Sequence, residues 1–453
     1  MKNTPLELGT QKIGKLLMQY AIPSIIATTA AALYSITDSI FIGHGVGPLA
    51  ISGLAITFPL MNLSAALGTM VGVGASALLS MRLGQKDYDS ANKIVGNVFP
   101  MILIISAIFT IPTLIFLKPI LYFFGASEDT LPYAYDFMFI ILSGTVITHL
   151  YFSFNALIRA SGQPLKSMTA TIMTVVVNVI LNPLFIFGFG WGMRGSALAT
   201  IISQVVVLVW QLHLFNRRDS FLKIQRQSLR FNSKIAFDSI AIGLSPFLMN
   251  AASSVIVIII NQGLLKYGGD MAVGAFGIVN RIAMLFVMIV IGLNQGMQPI
   301  AGYNYGARLY PRVTEVLKKS VIIATLIMSV GFLTAQLMPH QIVSMFTSDL
   351  ELITHSERGL RIVFFFYPLI GFQMVVSTFF QSIGKPGKAI FLSLTRQVIF
   401  LIPFLFILPH YYGISGVWIA MPASDAISIV MSALLIYAQI KEFRRAEAQS
   451  GVV

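Results

Sequence analysis

Long stretches of the chain carry no Asp, Glu, Lys or Arg. Residues 94–117, 137–158, 167–193, 195–216, 239–265, 282–307 and 320–348 have none, and 49–81, 362–384 and 397–424 are equally clear. A helix needs about 20 apolar residues to cross a bilayer, so runs of this length read as membrane spans. The run 397–424 is broken at Pro409–Gly413 and is shared by two helices. The stretch from Leu16 to Gly43 holds one charge. It exceeds the apolar core of about 7–15 residues in a signal peptide and reads as a retained first helix. The pattern predicts an all-α integral membrane protein of twelve transmembrane helices, over 15–42, 50–80, 94–117, 132–157, 165–189, 195–215, 235–265, 271–300, 315–338, 353–381, 387–408 and 415–440.

The polar positions between the spans set the orientation. With the N-terminus inside, the segments up to Lys15, at 82–93, 159–166, 217–234, 308–319 and 385–388, and after 440 hold 23 Lys and Arg; the outside loops hold 3, Lys118, Arg194 and Lys266. Cytoplasmic loops are enriched in Lys and Arg. Both termini are therefore expected in the cytoplasm, with the chain in a bacterial cytoplasmic (inner) membrane. The same asymmetry accounts for the net charge of +13 as topology rather than affinity for nucleic acid. Membrane lipids are the expected partner of some of these cations, each worth about 1 kcal/mol beside anionic headgroups. Charged residues make up 10% of the chain and hydrophobic ones 56%, whereas about a quarter of a soluble domain is charged. That excludes a soluble enzyme, a nucleic-acid binder and a disordered scaffold. The chain has no Cys, hence no disulfide or thiolate metal site.

The chain repeats itself. Gly47, Ala50, Gly74, Gly84, Tyr88, Ile120, Phe124, Gly162, Pro164 and Lys166 recur at a constant offset of 222 residues as Gly269, Ala272, Gly296, Gly306, Tyr310, Ile342, Phe346, Gly384, Pro386 and Lys388. Six helices per copy is an even number, so both copies start on the same side, related by a pseudo-two-fold axis along the membrane normal. The expected organisation is an N-lobe over 1–215, a cytoplasmic basic linker over 216–234 and a C-lobe over 235–453. Two lobes around a cleft suit alternating access, which points to a transporter.

Other motifs carry little chemistry. Gly9–Lys15 has the spacing of a phosphate-binding loop, but Leu16 stands where Ser or Thr must hold Mg²⁺ and no strand precedes it. No ATPase domain is evident, so the energy comes from a gradient. The six His are dispersed without metal-site spacing and read mostly as loop or interface residues. Gly188, Gly190 and Gly192 form a turn, and Gly68 and Gly72 make a G-x-x-x-G contact for close helix packing. No catalytic constellation is present and no enzyme activity is expected.

Asp38 is the most informative residue. It lies well inside the first helix, with no Lys or Arg within twenty positions. A carboxylate at that depth costs about 2.5–3.5 kcal/mol on insertion scales, and such groups mark ion or proton pathways. The alternative is a helix-end Asp bonded to backbone or water near the outer surface. Asn178 and Asn182 share one face of the fifth helix, and Pro183 frees a carbonyl in the preceding turn. Carboxylate, amide and carbonyl oxygens are ligands an alkali cation prefers; interhelical hydrogen bonding explains the amides equally well.

The segment YSITDSIFIGHGVGPLAISGLA, the Gly84–Gln85 loop, ASGQP at 160–164, LNPLFIFGFGWGMRGSALATIIS and GYNYGA at 302–307 resemble the multidrug and toxic compound extrusion (MATE) family, over nearly the whole chain. The resemblance implies antiport: inward H⁺ or Na⁺ drives export of bulky, often cationic or aromatic drugs or toxic metabolites, with no cofactor beyond that ion. It places the family's acidic residue on Asp38, its kink-forming proline on Pro23, and an amino-terminal cation site on Asp38, Asn178, Asn182 and Thr200. Many members carry a second carboxylate where this chain has Asn182, which leaves the choice between H⁺ and Na⁺ open. A carboxyl-terminal cation site is not expected, because Asp238 and Glu357 lie near helix starts and Asn250, Gln262 and Gln373 are neutral. Tyr34 and Asn155 are candidates for the same lobe cavity, and Phe58, Met61 and Asn62 for the substrate cleft. Arg281, Arg396 and Asp425 are expected to pair with one another, with gating or substrate repulsion as the sharper role. The protein is expected to act as a monomer. The closest alternative is a flippase for lipid-linked precursors, with a channel or importer behind it.

Overall fold

The computed structural model describes residues 7–217 and 220–450; Lys2 and Arg218, counted above among the inside cations, lie outside them. The described residues are almost wholly helical and contain no strand. Helix α1 spans Ile13–Gly45, α2 Pro48–Gly84 and α3 Tyr88–Ile115. Helix α4 is a pair, Leu131–Ser143 and Thr145–Ala160, bent by 57°. Helix α5 runs over Pro164–Gly188, π-helical from Leu184, and α6 over Gly192–Asn216. Ser233–Gly306 is a 74-residue stretch interrupted at Gly269, whose φ of 68° and ψ of −169° are not helical; it supplies α7 before that glycine and α8 after it. Helix α9 is Tyr310–Leu337, α10 the pair Leu350–Val363 and Tyr367–Ser382 bent by 54°, α11 Pro386–Tyr412 and α12 Ile414–Ser450. The twelve expected spans are all present among the described residues.

The duplication is visible in the backbone. Lys86 and Arg308, 222 residues apart, both have φ of 59°, a left-handed conformation uncommon without glycine. Gly47 and Gly269, and Gly162 and Gly384, also take positive φ at that offset. The two bent pairs, α4 and α10, correspond in the same register.

The chain forms two compact units, the first built on Ile26–Phe247 and the second on Gln11–Ile25 with Leu248–Val453. The division therefore falls inside α1 and α7, just past Pro23 and Pro246, rather than in the basic stretch at 216–234. In the first unit, Leu54, Leu60, Phe137, Met138, Leu142 and Ala197 belong to one buried apolar cluster. The second segment of α4 packs along α2, and the G-x-x-x-G pair makes this possible. A Cβ on Gly68 would lie 3.1 Å from His149 Cα, and one on Gly72 2.8 Å from Ser153 Cα.

His149 is fully buried at that contact, not in a loop. Its Nε2 faces the Ser64 carbonyl at 2.8 Å, and its Nδ1 faces the Ser106 hydroxyl at 2.8 Å. A carbonyl only accepts, so Nε2 carries the proton and Nδ1 accepts from Ser106. One neutral imidazole thus ties α2, α3 and α4 together. His149→Leu strands the Ser106 hydroxyl in an apolar interior, at about 1–3 kcal/mol. The detergent-solubilised variant is expected to melt several degrees lower; an unchanged melting temperature would show that the histidine contributes only volume.

Candidate ion-coupling site

Three helices of the first unit each present two polar side chains one turn apart. Helix α1 offers Tyr34 and Asp38, α5 offers Asn178 and Asn182, and α6 offers Ser196 and Thr200. They meet as two layers. In one, Asp38 Oδ1 accepts from Asn182 Nδ2 and, at 2.8 Å, from the Ser196 hydroxyl. In the other, Asn178 Nδ2 donates to the Tyr34 and Thr200 hydroxyl oxygens, each at 3.2 Å, and those two hydroxyls lie 2.9 Å apart. Asn182 Nδ2 also faces Asn178 Oδ1 at 3.4 Å, which joins the layers. Asp38 is 9% exposed, Asn178 1%, and Asn182 and Ser196 0%.

The local sequence explains the convergence. Pro183 follows Asn182 and has no N–H to give to the turn before it. From Leu184 to Gly188 the helix widens to a π-turn, a feature found often at functional sites. Two glycines make room for that wider turn: a Cβ on Gly45 would lie 2.2 Å from Ile186 Cγ2, and one on Gly195 3.0 Å from the Phe185 carbonyl carbon. Gly195 thereby lets the start of α6 close on α5, and the next residue, Ser196, reaches the carboxylate.

Among the described residues no cation pairs with Asp38, and no hydrogen bond reaches its Oδ2. Asn182 Oδ1 is buried without a partner. The site therefore holds two unspent oxygen acceptors beside a carboxylate whose other oxygen is pinned by two donors. That donor set suits a proton on Oδ2, or a hard monovalent cation shared between carboxylate and amide oxygens. No group of three or more His, Cys, Asp and Glu occurs among the described residues, so a transition-metal site has no support.

Asp38, Asn178, Asn182, Thr200 and Tyr34 are thus brought together. Ser196 was missed in the sequence, although its i, i+4 spacing to Thr200 repeats that of the other two pairs. Asn155 is buried apart from the network, accepting from Ser167 Oγ and donating to Thr171 Oγ1 at 3.0 Å. Phe58 and Asn62 lie on an exposed face of α2, whereas Met61 packs against the buried cluster, its sulfur 3.5 Å from the Thr57 hydroxyl. Pro23 is buried within α1, in the segment belonging to the second unit.

In the second unit the expected charge pairing holds for two residues of three. Arg396 Nε donates to Asp425 Oδ1 at 2.7 Å, on the π-helical turn Thr395–Leu401, and Ser424 Oγ donates to the Arg396 carbonyl. Arg281 is exposed and makes no ion pair among the described residues. Glu357 is held by His340 at 2.7 Å. At the repeat offset, Tyr34 and Asp38 correspond to Ile256 and Ile260, both buried and apolar.

A family model described as MatE matches residues 23–184 and 241–407. The chain is 26% identical over 425 residues to the multidrug export protein MepA of Staphylococcus haemolyticus, covering 94% of this chain and 93% of that one. MepA of Staphylococcus aureus is likewise 26% identical over 423 residues, covering 93% of each. Among solved structures, a MATE protein in a bent conformation superposes with a TM-score of 0.92 at 25% identity over 99% of both chains. An outward-facing multidrug resistance MATE family transporter of the MOP superfamily gives 0.90 at 25% identity, covering 98% of this chain and 99% of that one.

Proposed function

The chain belongs to the MatE family of multidrug efflux transporters, and on that premise we propose that it exports bulky cationic and aromatic compounds by antiport with H⁺ or Na⁺, with Asp38 as the coupling carboxylate. The protein is a multi-pass membrane transporter and not an enzyme. The observation that carries the coupling role is the asymmetry at Asp38: Oδ1 is fixed by Asn182 and Ser196, while Oδ2 and the neighbouring Asn182 Oδ1 have no partner.

In this reading an inward-moving ion binds at Oδ2 from the outside. With H⁺, Asp38 becomes neutral and the Tyr34, Asn178 and Thr200 layer holds the helices in register. With Na⁺, Asp38 Oδ2 and Asn182 Oδ1 are its first ligands. Neutralising the carboxylate weakens the hold on a cationic drug and favours its release outside; losing the ion inside restores the anion. Alternating access between the duplicated halves moves the site from one side of the membrane to the other. Phe58 and Asn62 are the exposed α2 residues best suited to meet the drug. The chain works as a monomer in the bacterial cytoplasmic membrane with both termini inside. A flippase for lipid pyrophosphates needs deep, unpaired cations; Arg396, one of its two candidates, is tied to Asp425.

Proteoliposomes with separately imposed pH and Na⁺ gradients test the antiport. Dye movement driven by one gradient and collapsed by dissipating it is expected. Equal dye movement with no gradient would end the antiport reading.

A further inference from the structure

The stretch after α6 has the composition of a plain basic linker, yet it is built onto the first unit as a strap across the start of α3. Leu222 and Ser228 are buried, 2% and 4% exposed. Phe221 sets its ring edge-on to Tyr88 with centroids 4.9 Å apart. Two asparagines of α3 grip the strap backbone: Asn92 Oδ1 accepts from Lys223 N at 2.9 Å, and Asn97 Nδ2 donates to the Arg230 carbonyl at 2.8 Å. Between them Gly96 lets the strap lie flush, since a Cβ there would come 2.4 Å from Ser228 Cβ. The backbone of the strap is thus fixed by side chains of α3.

What it turns outward is a repeated pairing of cation and apolar ring. Lys223, Arg230 and Lys234 are exposed, and so are Leu229 (41%), Phe231 (52%) and, just beyond, Phe237 (73%). From 220 to 234 the chain has four Lys and Arg and no acid. The acids close by in sequence are Asp238, half-buried, and Asp219, outside the described residues; Asp89 lies exposed on α3. Apolar side chains facing water on a fixed strap mark an interaction surface. Rings and cations in alternation are the chemistry of the membrane interface, where rings sink to headgroup depth and cations stay with the phosphates.

We propose that the strap at 220–234 is a docking platform for anionic phospholipid, its cations on headgroup phosphates and Phe231 and Leu229 at the level of the glycerol. Charge complementarity selects this occupant: a run of four cations without an acid matches a leaflet of negative headgroups and no neutral one. Because Asn92, Asn97 and Gly96 fix the strap to α3, lipid bound there lies against the unit that holds Asp38. The proposal specifies the lipid partner in the reading above and depends on bilayer insertion, not on the drug or the coupling ion.

The absence of Cys gives a clean probe. Gln227→Cys, exposed on the strap, is labelled with a fluorophore in the full chain and reconstituted with nitroxide-labelled phosphatidylglycerol or phosphatidylcholine. Quenching by phosphatidylglycerol is expected to exceed that by phosphatidylcholine by at least about fivefold, the factor one cation supplies near an anionic surface. The preference is expected to vanish in a Lys223→Gln, Arg226→Gln, Arg230→Gln, Lys234→Gln background that keeps the wild-type melting temperature, and in about 1 M salt, where the Debye length is about 3 Å. Equal quenching by both lipids, or none, overturns the proposal. So does loss of the preference on adding millimolar inorganic phosphate, which would mark an ion site, or an acidic soluble protein, which would mark a protein surface. No transport is read, so a failure of the drug-export reading leaves this result intact.

Discussion

Asp38→Asn is expected to abolish dye efflux while leaving the protein folded in the membrane. The substitution is nearly isosteric, and the new amide oxygen can still accept from Asn182 and Ser196, the two donors that hold Oδ1. What is lost is the charge and the ability to take up and release an ion at Oδ2. Exchange of one H⁺ or Na⁺ for a monocationic drug moves no net charge, so the ion's concentration gradient is the drive: a tenfold ion gradient, about 1.4 kcal/mol, sustains a tenfold drug gradient. The variant is expected to sustain none, so ethidium accumulates in cells expressing it as in cells without the transporter. Its melting temperature in detergent is expected to be unchanged or higher, because a desolvated carboxylate has been replaced by a neutral amide. A wild-type dye gradient in cells carrying the variant ends the coupling role. A large fall in melting temperature would instead assign Asp38 to the fold. Ser196→Ala, which removes one of the two donors and leaves the charge, is expected to reduce efflux without abolishing it.

The span pattern, the duplication and the isolation of Asp38 were all legible in the sequence, because each is a statement about spacing along one strand of chain. Charge-free runs set the helices, and Gly269, where α7 ends, is the counterpart of Gly47 at the repeat offset. The fifth-helix amides were legible because Asn178 and Asn182 share a face. Ser196 was not: it has the i, i+4 spacing to Thr200, but a serine among the small residues of a helix start does not stand out, and its bond to Asp38 spans 158 positions. Neither was the strap: Leu222 and Ser228 are buried only because Gly96 and Asn97, more than 120 residues earlier, shape a bed for them. His149 lies at a helix interface, one of the two settings expected for the histidines, but its partners were hidden for the same reason. An imidazole satisfied by Ser64 and Ser106 looks in sequence like any other dispersed histidine. The duplication also does not extend to the chemistry: at the repeat offset, buried Ile256 and Ile260 stand for Tyr34 and Asp38. The polar layers of the first copy thus have no counterpart at these two positions in the second, whose buried carboxylate Asp425 is instead paired with Arg396.

Gly74→Val and Gly243→Val are expected to be the most damaging substitutions to the fold, although neither residue touches the polar layers. The helices α2 and α7 cross within the first unit with backbone against backbone. A Cβ on Gly74 would lie 1.8 Å from the Ser239 carbonyl oxygen and 2.7 Å from its carbon, and one on Gly243 would lie 1.8 Å from the Met70 carbonyl oxygen. No flexible side chain stands in the way, so the helices themselves must separate, and every neighbouring contact along the crossing loosens with them. Overpacking of this kind costs about 1–3 kcal/mol, and more where backbone must move. At about 2–4 °C per kcal/mol for a unit of about 200 residues, a cost near 3 kcal/mol lowers the melting temperature by about 6–12 °C. The second unit repeats the crossing at the same offset: Gly296 corresponds to Gly74 and Ala21 to Gly243, and a Cβ on Gly296 would lie 2.6 Å from Ala21 N. Gly296→Val is therefore expected to behave like Gly74→Val. Gly277→Val is the control, since nothing lies within 4 Å of a Cβ there; it tests whether glycine loss in a membrane helix is harmful in itself. Thermal scans and membrane yields of the four variants decide the matter: a drop shared by Gly277→Val would assign the damage to helix propensity or lipid exposure, and a drop confined to the other three assigns it to the two crossings.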